Sequence, residues 1–169
     1  MINFTIIKQY GWDDFFEAQM EKFSKEGYSV GRVAIENKSN FILYTEFSEL
    51  TAAISGKFKF NASSESDYPG VGDWVVIKPV ANENKAVIEF VLERKNKFSR
   101  KVPGMTTEEQ IIAANIDTIF IISSLNQDIN LRRIERYLTL AFENNIPSAL
   151  ILSKSDVCDD VREKLTEVE

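Results

Sequence analysis

Four polar residues follow directly after an apolar run near the end of the chain: Ser153, Lys154, Ser155 and Asp156. The carboxylate of Asp156 could accept two hydrogen bonds from the N1–H and 2-amino groups of guanine, which adenine cannot offer. The aliphatic stem of Lys154 could lie over the base while its ammonium group stays in water. Ser and Asp are also preferred helix N-caps. The four residues therefore indicate either a guanine-recognition site or an ordinary helix cap.

A strand–helix–strand unit is predicted to position these residues. Ile116–Ser123 is almost continuously apolar, a helix is expected over Leu131–Glu143, and Ala149–Leu152 is a second apolar run. Strands of this composition are typically buried on both faces, and a crossover helix joins them in parallel. Ligands of such sheets bind beyond the carboxyl ends of the strands, where Ser153–Asp156 lies.

This second domain is expected to be the incomplete start of an α/β fold. Two parallel strands with one or two helices cannot cover both faces of a sheet. A charged, helical segment is predicted from Asp159 onward. On the crossover helix, Arg132, Arg133 and Arg136 are interpreted as a solvated face.

The apolar pattern upstream alternates with the period of β-strands. The predicted strands are Gly31–Ile35, Phe41–Thr45, Glu49–Phe58, Trp74–Pro79 and Ala86–Leu92. Short strands separated by turn-forming residues favour a five-stranded β-barrel of the OB type. An SH3-like barrel would show nearly the same pattern, and periodicity does not separate the two.

A helix is predicted to precede the barrel, from about Trp12 to Glu26. Trp12, Phe16, Met20 and Phe23 recur at helical intervals and form one apolar stripe. The stripe is expected to dock on the barrel. The alternative is that it forms a docking surface for a protein partner.

A basic segment joins the two predicted domains in a chain whose net charge is −6. Its basic residues are Arg94, Lys95, Lys97, Arg100 and Lys101. A phosphate backbone would respond to that local charge even on an acidic protein. The alternative is a solvated linker.

A second basic pair, Lys57 and Lys59, flanks Phe58 at a predicted strand end. The lysines could contact a nucleic acid backbone while Phe58 stacks on a base. The alternative is that Phe58 and Phe60 belong to the barrel core.

The composition excludes several classes of protein. The chain has 169 residues, 44% hydrophobic and 27% charged, which is typical of a globular protein. With no histidine, neither a His-based triad nor a His-ligated zinc site can be built from it. The single cysteine, Cys158, fits a reducing cytoplasm. No apolar run approaches the roughly 20 residues that span a bilayer, and no secretory signal is recognised.

The phosphate-binding loop of ordinary GTPases, G-x-x-x-x-G-K-[ST], is absent upstream of Ser153. The only Gly-Lys pair, Gly56-Lys57, lacks both the first glycine and the following hydroxyl residue. Ser153–Asp156 therefore either resembles the GTPase motif [N/T]KxD by coincidence, or the domain is permuted so that the phosphate loop follows it.

Several longer segments carry a resemblance to a known family. They are Gly72-Asp73-Trp74-Val75, Lys97-Phe98-Ser99-Arg100-Lys101, the run from Glu108 to Asp117, and Asn130-Leu131-Arg132-Arg133-Ile134-Glu135-Arg136-Tyr137-Leu138. With Lys154 and Asp156, they resemble, in order, the N-terminal part of the small ribosomal subunit biogenesis GTPases of the RsgA family, also called YjeQ or EngC.

The resemblance implies a bacterial cytoplasmic GTPase that acts late in 30S assembly, with an OB-fold, a circularly permuted GTPase domain and a C-terminal zinc domain. It implies GTP or GDP with Mg²⁺ in the intact protein, Zn²⁺ in the C-terminal domain, and 16S rRNA of the 30S subunit as partner. Ser153, Lys154, Ser155 and Asp156 would then specify guanine. The basic residues of the segment after the barrel, with Lys57 and Lys59, become candidates for RNA contact.

The predicted organisation follows from these patterns. Residues 1–28 form an N-terminal segment with a docked helix, 29–92 the barrel, 93–110 a basic linker, and 111–169 the start of the permuted GTPase domain. The chain is expected to be monomeric, to hold no bound cofactor or metal by itself, and to hydrolyse no GTP alone. The alternative function is a stand-alone RNA-binding adaptor for which nucleotide is irrelevant.

Overall fold

The computed structural model describes residues 4–23, 27–101, 109–125 and 129–168. The chain divides into two compact units, Met1–Asn115 and Ile116–Glu169. The division falls after the predicted linker of residues 93–110, because that segment contributes a strand to the first unit. Among the described helices, none has the length and apolar character needed to cross a membrane.

A closed β-barrel forms the centre of the first unit. Its strands are β1 (Ser29–Glu36), β2 (Phe41–Thr45), β3 (Glu49–Ile54), β4 (Trp74–Pro79) and β5 (Lys85–Val91). They follow one another around the barrel in the order β1-β2-β3-β5-β4. Strand β3 runs parallel to β5, the other neighbours are antiparallel, and the pairing of β1 with β4 closes the barrel. This architecture confirms the predicted OB-fold.

The barrel interior is filled by the inward-facing residues of the alternating strands. Val33, Leu43, Val75, Ile77 and Ile88 are all at most 1% exposed. Each fully buried aliphatic side chain of this size contributes about 1.5–3 kcal/mol of transfer free energy. The period-2 pattern that predicted the strands therefore also identifies the core.

The third strand is shorter than predicted. It ends at Ile54, and the chain then forms helix α3 (Gly56–Asn61). Ser55 caps this helix, since its hydroxyl accepts a hydrogen bond of 3.0 Å from the amide of Phe58. The predicted strand over residues 49–58 is therefore wrong after residue 54.

The N-terminal segment forms two helices where one was predicted. They are α1 (Phe4–Lys8) and α2 (Asp14–Met20), and a 3₁₀ turn over Glu21–Phe23 follows α2. Asp13 caps α2 by accepting a hydrogen bond from the amide of Phe15. The last part of the predicted helix, residues 24–26, lies outside the described residues.

The apolar stripe of α2 packs against the outside of the barrel. Phe16 and Met20 are buried, together with Trp12 just before the helix. They form a second core with barrel residues that include Trp74 and Val76, and the rings of Trp12 and Trp74 meet edge to face at 4.8 Å. Aromatic pairs prefer this arrangement. The stripe therefore serves packing within the first unit.

A two-stranded antiparallel sheet completes the first unit. It consists of β6 (Lys97–Lys101) and β7 (Glu109–Ala114). Gly72 lies against its end, with a φ of +89° and a space so tight that a Cβ atom would meet the carbonyl oxygen of Ala114 at 2.1 Å. No other residue type fits this position.

Two polar side chains attach this sheet to the barrel. The amide group of Asn115 donates to the carbonyl of Gly72 at 3.0 Å, and its oxygen accepts from the amide of Lys95 at 2.9 Å. The guanidinium group of Arg32 donates to the carbonyls of Tyr10, Gly72 and Asn115. Backbone carbonyls that would otherwise lack partners are thereby satisfied.

The second unit is the predicted β–α–β unit. It consists of β8 (Ile119–Ser124), α4 (Leu131–Glu143), β9 (Ser148–Ser153) and α5 (Val161–Val168), and β8 is parallel to β9. Within the described residues, Ile121 is buried, whereas Phe120 and Ile122 are 63% and 68% exposed. The expectation of strands buried on both faces therefore does not hold here, because only one face of the sheet is covered.

Candidate nucleotide and RNA sites

The four residues with the clearest chemistry lie at the carboxyl end of β9. Ser153 is the last residue of the strand and pairs in register with Ser124 of β8. Its hydroxyl donates to the carbonyl oxygen of Ser123 at 3.3 Å. This hydrogen bond joins the ends of the two parallel strands at the edge where ligands bind in such sheets.

The backbone turns sharply after Ser153. Lys154 has φ 60° and ψ 37°, in the left-handed region, and Ser155–Val157 form a 3₁₀ turn. Left-handed backbone in a residue other than glycine is uncommon and clusters at functional sites. Lys154, Ser155 and Asp156 are all exposed, and no described residue bonds the carboxylate of Asp156. The carboxylate is therefore available to an external hydrogen-bond donor.

Lys164 is a residue of this region that the sequence analysis missed. Its ammonium group donates to the carbonyl oxygen of Leu125 at 2.7 Å and lies 3.6 Å from the sulfur of Cys158. It thereby links α5 to the segment after β8 and to the segment after Asp156. No local pattern marks this lysine, since it looks like any other charge on a polar helix.

The described residues contain no group of three His, Cys, Asp or Glu side chains that could hold a metal ion.

Arg94 is the first of the predicted RNA-contact residues, but its guanidinium N–H groups donate to other residues of the first unit. It forms two hydrogen bonds with the fully buried carboxylate of Asp73 and donates to the carbonyls of Ser66 and Tyr68. Only 16% of its side chain is exposed. An arginine with this set of partners has little capacity left for a phosphate, so we remove it from the RNA-contact candidates.

Lys95 is exposed but pairs with the carboxylate of Asp13. Its ammonium group also lies 5.2 Å from the ring centre of Phe16. Partial burial acts to raise the pKa of Asp13, but the hydrogen bond and charge of Lys95, with the amides of Phe15 and Phe16, outweigh it and lower that pKa. Lys95 thus helps to hold α2, and an exposed pair of this kind is weak enough to exchange partners.

The remaining residues of the basic segment lie on β6. Lys97 begins the strand opposite Ala114 and is half-buried. The backbones of Arg100 and Lys101 pair with β7, while their side chains lie outside the described part of the structure. Residues Lys97–Lys101 of the predicted linker therefore form a strand.

Lys57 and Lys59 lie on α3, not at the end of a strand as predicted. Phe58 is the inward residue of this helix: its ring contacts Tyr68 with centres 5.9 Å apart. Phe60 is 89% exposed, so it does not belong to the barrel core. The ring available for stacking is thus Phe60, which the sequence analysis did not select, rather than Phe58.

The comparisons with known proteins agree with this architecture. Residues 91–169 match the model of the family described as RsgA GTPase. The chain is 39% identical to the small ribosomal subunit biogenesis GTPase RsgA 2 of Vibrio parahaemolyticus, over 96% of this chain and 42% of the relative. Residues 91–169 belong to the RsgA GTPase family. This finding confirms the resemblance inferred from the motifs.

Two solved structures share the fold. YjeQ from Thermotoga maritima is similar with a TM-score of 0.62 and 23% identity, over 84% of this chain and 47% of that one. YloQ, described as a circularly permuted GTPase, is similar with a TM-score of 0.58 and 17% identity, over 86% and 47%. The chain spans about half the length of these RsgA-type proteins.

The structure also explains a motif that carried the RsgA resemblance. In Gly72-Asp73-Trp74-Val75, the glycine permits the close approach to Ala114 and the aspartate binds Arg94. Trp74 and Val75 are fully buried, one in each of the two cores of the first unit. All four residues therefore have structural roles.

Proposed function

We propose that this chain contributes RNA binding and guanine specificity to a cytoplasmic GTPase that acts in late maturation of the 30S subunit. The name of the Vibrio relative, a small ribosomal subunit biogenesis GTPase, supports the assignment. In the whole protein the ligands are GTP or GDP with Mg²⁺, a C-terminal domain holds Zn²⁺, and the 30S subunit with its 16S rRNA is the partner. The protein acts as a monomer.

The position of Asp156 is the observation that supports guanine binding. It follows a parallel strand by a left-handed turn at Lys154, and its carboxylate is exposed and unbonded within the described residues. A carboxylate so placed accepts the N1–H and 2-amino hydrogens of guanine. The stem of Lys154 covers the face of the base, and Ser153 holds the strand ends together through Ser123.

The 169-residue chain alone is proposed to bind GDP weakly and to hydrolyse no GTP. Its sequence contains no phosphate-binding loop of the G-x-x-x-x-G-K-[ST] type. The amides of such a loop supply most of the charge-assisted contacts to the phosphates. Tight binding of fluorescent GDP to this chain would contradict the proposal.

The guanine assignment is tested with Asp156→Asn in the full-length gene product. An asparagine amide presents a donor to the base, so the variant should lose affinity for GDP and gain affinity for xanthosine diphosphate. Asp159→Asn, the same change at an exposed aspartate three residues further on, serves as a matched control. Unchanged discrimination between the two nucleotides in Asp156→Asn would refute the assignment.

The residues proposed to contact RNA are Lys57, Lys59, Lys95, Lys97, Arg100 and Lys101. Double charge reversal, Lys59→Glu with Lys97→Glu, should weaken binding of a 16S rRNA fragment and lower its dependence on salt, since each lost phosphate contact reduces the counterion slope by about one. Lys22→Glu, an exposed change on the 3₁₀ turn after α2, is the control. Binding insensitive to both salt and charge reversal would mean that these residues do not contact RNA.

A further inference from the structure

The helix between β3 and β4 presents an aromatic ring to solvent. Phe60 is 89% exposed, and α3 carries no acidic residue. One exposed phenylalanine needs no functional explanation by itself. Phe60 differs from an isolated exposed ring because two lysines, Lys57 and Lys59, lie on the same helix.

The helical period fixes which residues flank this ring. At about 100° per residue, Phe60 lies roughly 200° around the helix from Phe58, which faces Tyr68 and the barrel. Lys57 is then about 60° from Phe60, and Lys59 about 100° away on the other side. By position on the helix, Phe60 therefore lies between Lys57 and Lys59.

Both lysines are exposed, and neither forms an ion pair within the described residues. The ammonium group of Lys57 lies 5.9 Å from the ring centre of Phe90, which places this side chain toward β5. Three acidic residues, Asp67, Glu89 and Glu93, line the cleft on the side of Phe58. The negative charge is thus on the inward side of the helix. Lys57 extends toward this cleft, since Phe90 also lines it, and Lys59 lies on the other side of Phe60.

We propose that Phe60 stacks on an unpaired RNA base while Lys57 and Lys59 contact the neighbouring phosphates. This inference rests on the RNA contact proposed above. It specifies the ligand as single-stranded RNA, which is bound through base stacking and through charge. Every base has a π-face, so an aromatic ring beside cations binds single strands with little sequence preference. A protein partner is less suited to this surface, because one ring between two charges is not the apolar patch of a protein interface.

The experiment uses Phe60→Trp as a fluorescent probe. The two native tryptophans, Trp12 and Trp74, are 2% and 0% exposed, so they form a constant background. Phe47→Trp is the matched control, since Phe47 is 72% exposed but lies between Glu46 and Glu49. The ligand is an oligoadenylate of about twelve nucleotides, within the site size of one OB-fold, compared with duplex RNA of equal length.

The single strand should quench Phe60→Trp emission, the duplex should quench it much less, and Phe47→Trp should not respond. Phe60→Ala and Phe60→Leu should weaken oligoadenylate binding about 5- to 150-fold, whereas Phe60→Tyr should bind normally, because base stacking contributes about 1–3 kcal/mol. Circular dichroism checks the fold of each variant.

The contrary outcomes separate the stacking proposal from the RNA-binding proposal. Oligoadenylate that binds Phe60→Ala with wild-type affinity and leaves Phe60→Trp unquenched would overturn stacking alone. Failure of the wild-type chain to bind any RNA would overturn both. A blue shift of Phe60→Trp emission with intact 30S subunits, without quenching by RNA, would assign Phe60 to a protein contact and also overturn stacking.

Discussion

Arg94 and Asp73 form a two-point ion pair inside the first unit. The arginine Nε donates to Oδ1 at 2.8 Å and Nη2 donates to Oδ2 at 2.7 Å, while the aspartate is completely buried. The carboxylate of Asp73 also accepts a hydrogen bond of 2.8 Å from the backbone amide of Gly70. Arg94 also donates to the carbonyls of Ser66 and Tyr68, so the pair joins the 3₁₀ turn Glu65–Asp67, which precedes β4, to the segment that follows β5.

Arg94→Met should therefore destabilise the first unit strongly. The substitution leaves the Asp73 carboxylate buried without its counter-charge, and breaking one half of such a pair costs about 3–5 kcal/mol. The free energy of unfolding in urea, followed by tryptophan fluorescence, measures the effect. Lys95→Met is the control, because its exposed pair with Asp13 should contribute no more than about 1 kcal/mol.

The coupling of the pair is tested by the double variant Arg94→Met with Asp73→Asn. It should lose less stability than the two single variants together, since neither partner is then left as an unpaired buried charge. Strict additivity of the two effects would contradict the contact. An Arg94→Met variant that folds normally and only loses RNA affinity would restore Arg94 as an RNA-contact residue.

Gly72→Ala should prevent the β6–β7 sheet from docking on the barrel. The added Cβ would lie 2.1 Å from the Ala114 carbonyl oxygen, and the φ of +89° is itself unfavourable for alanine. We expect a loss of several kcal/mol, measured as a lower urea midpoint. Gly56→Ala is the matched control: it has no atom within 4 Å, lies in α3, and should be neutral or stabilise by up to about 1 kcal/mol. Equal effects of the two substitutions would refute the close approach.

Asp67 should titrate at an abnormally low pH. Hydrogen bonds from the amides of Ser63 and Ser64, at 2.7 and 2.9 Å, lower its pKa below the usual value of 3.8. Because the folded-state pKa is lowered, the stabilisation is complete above the unfolded pKa and is lost as the pH falls through the folded one. The carboxyl carbon shift in NMR measures the titration, with Asp67→Asn to assign the signal. A midpoint at or above 3.8 would exclude these hydrogen bonds in solution.

Lys164→Met should loosen the segment around Asp156. It leaves the carbonyl oxygen of Leu125, a residue only 2% exposed, without the ammonium donor, which costs about 1–3 kcal/mol. Amide hydrogen exchange should become faster in β8 and at residues 154–158, with Lys164→Arg partly restoring protection. Arg162→Met, a change at an exposed residue of the same helix, is the control. Unchanged exchange in Lys164→Met would show that the contact does not hold this segment.

Much of this architecture could be predicted from local patterns. Alternating apolar residues mark the barrel strands, a continuous apolar run followed by Ser153–Asp156 marks a strand end with its ligand edge, and the order of motifs indicates the RsgA family. These features depend on the period and type of neighbouring residues, which a sequence states directly. The break of β3 into α3 was missed because Phe58 and Phe60 continue the alternation, while the cap at Ser55 is a single residue.

The roles of the charged residues depended on the tertiary structure. Arg94, Lys95 and Lys97 look alike as neighbours in a basic segment. Folding brings Asp73 to Arg94 across 21 positions of sequence and Asp13 to Lys95 across 82. A distant partner of this kind makes a charge less available for RNA, and sequence spacing carries no information about that pairing. The sequence alone therefore determined the barrel and the family and indicated a candidate guanine motif, whereas the three-dimensional contacts decided which basic residues and which aromatic ring remain exposed.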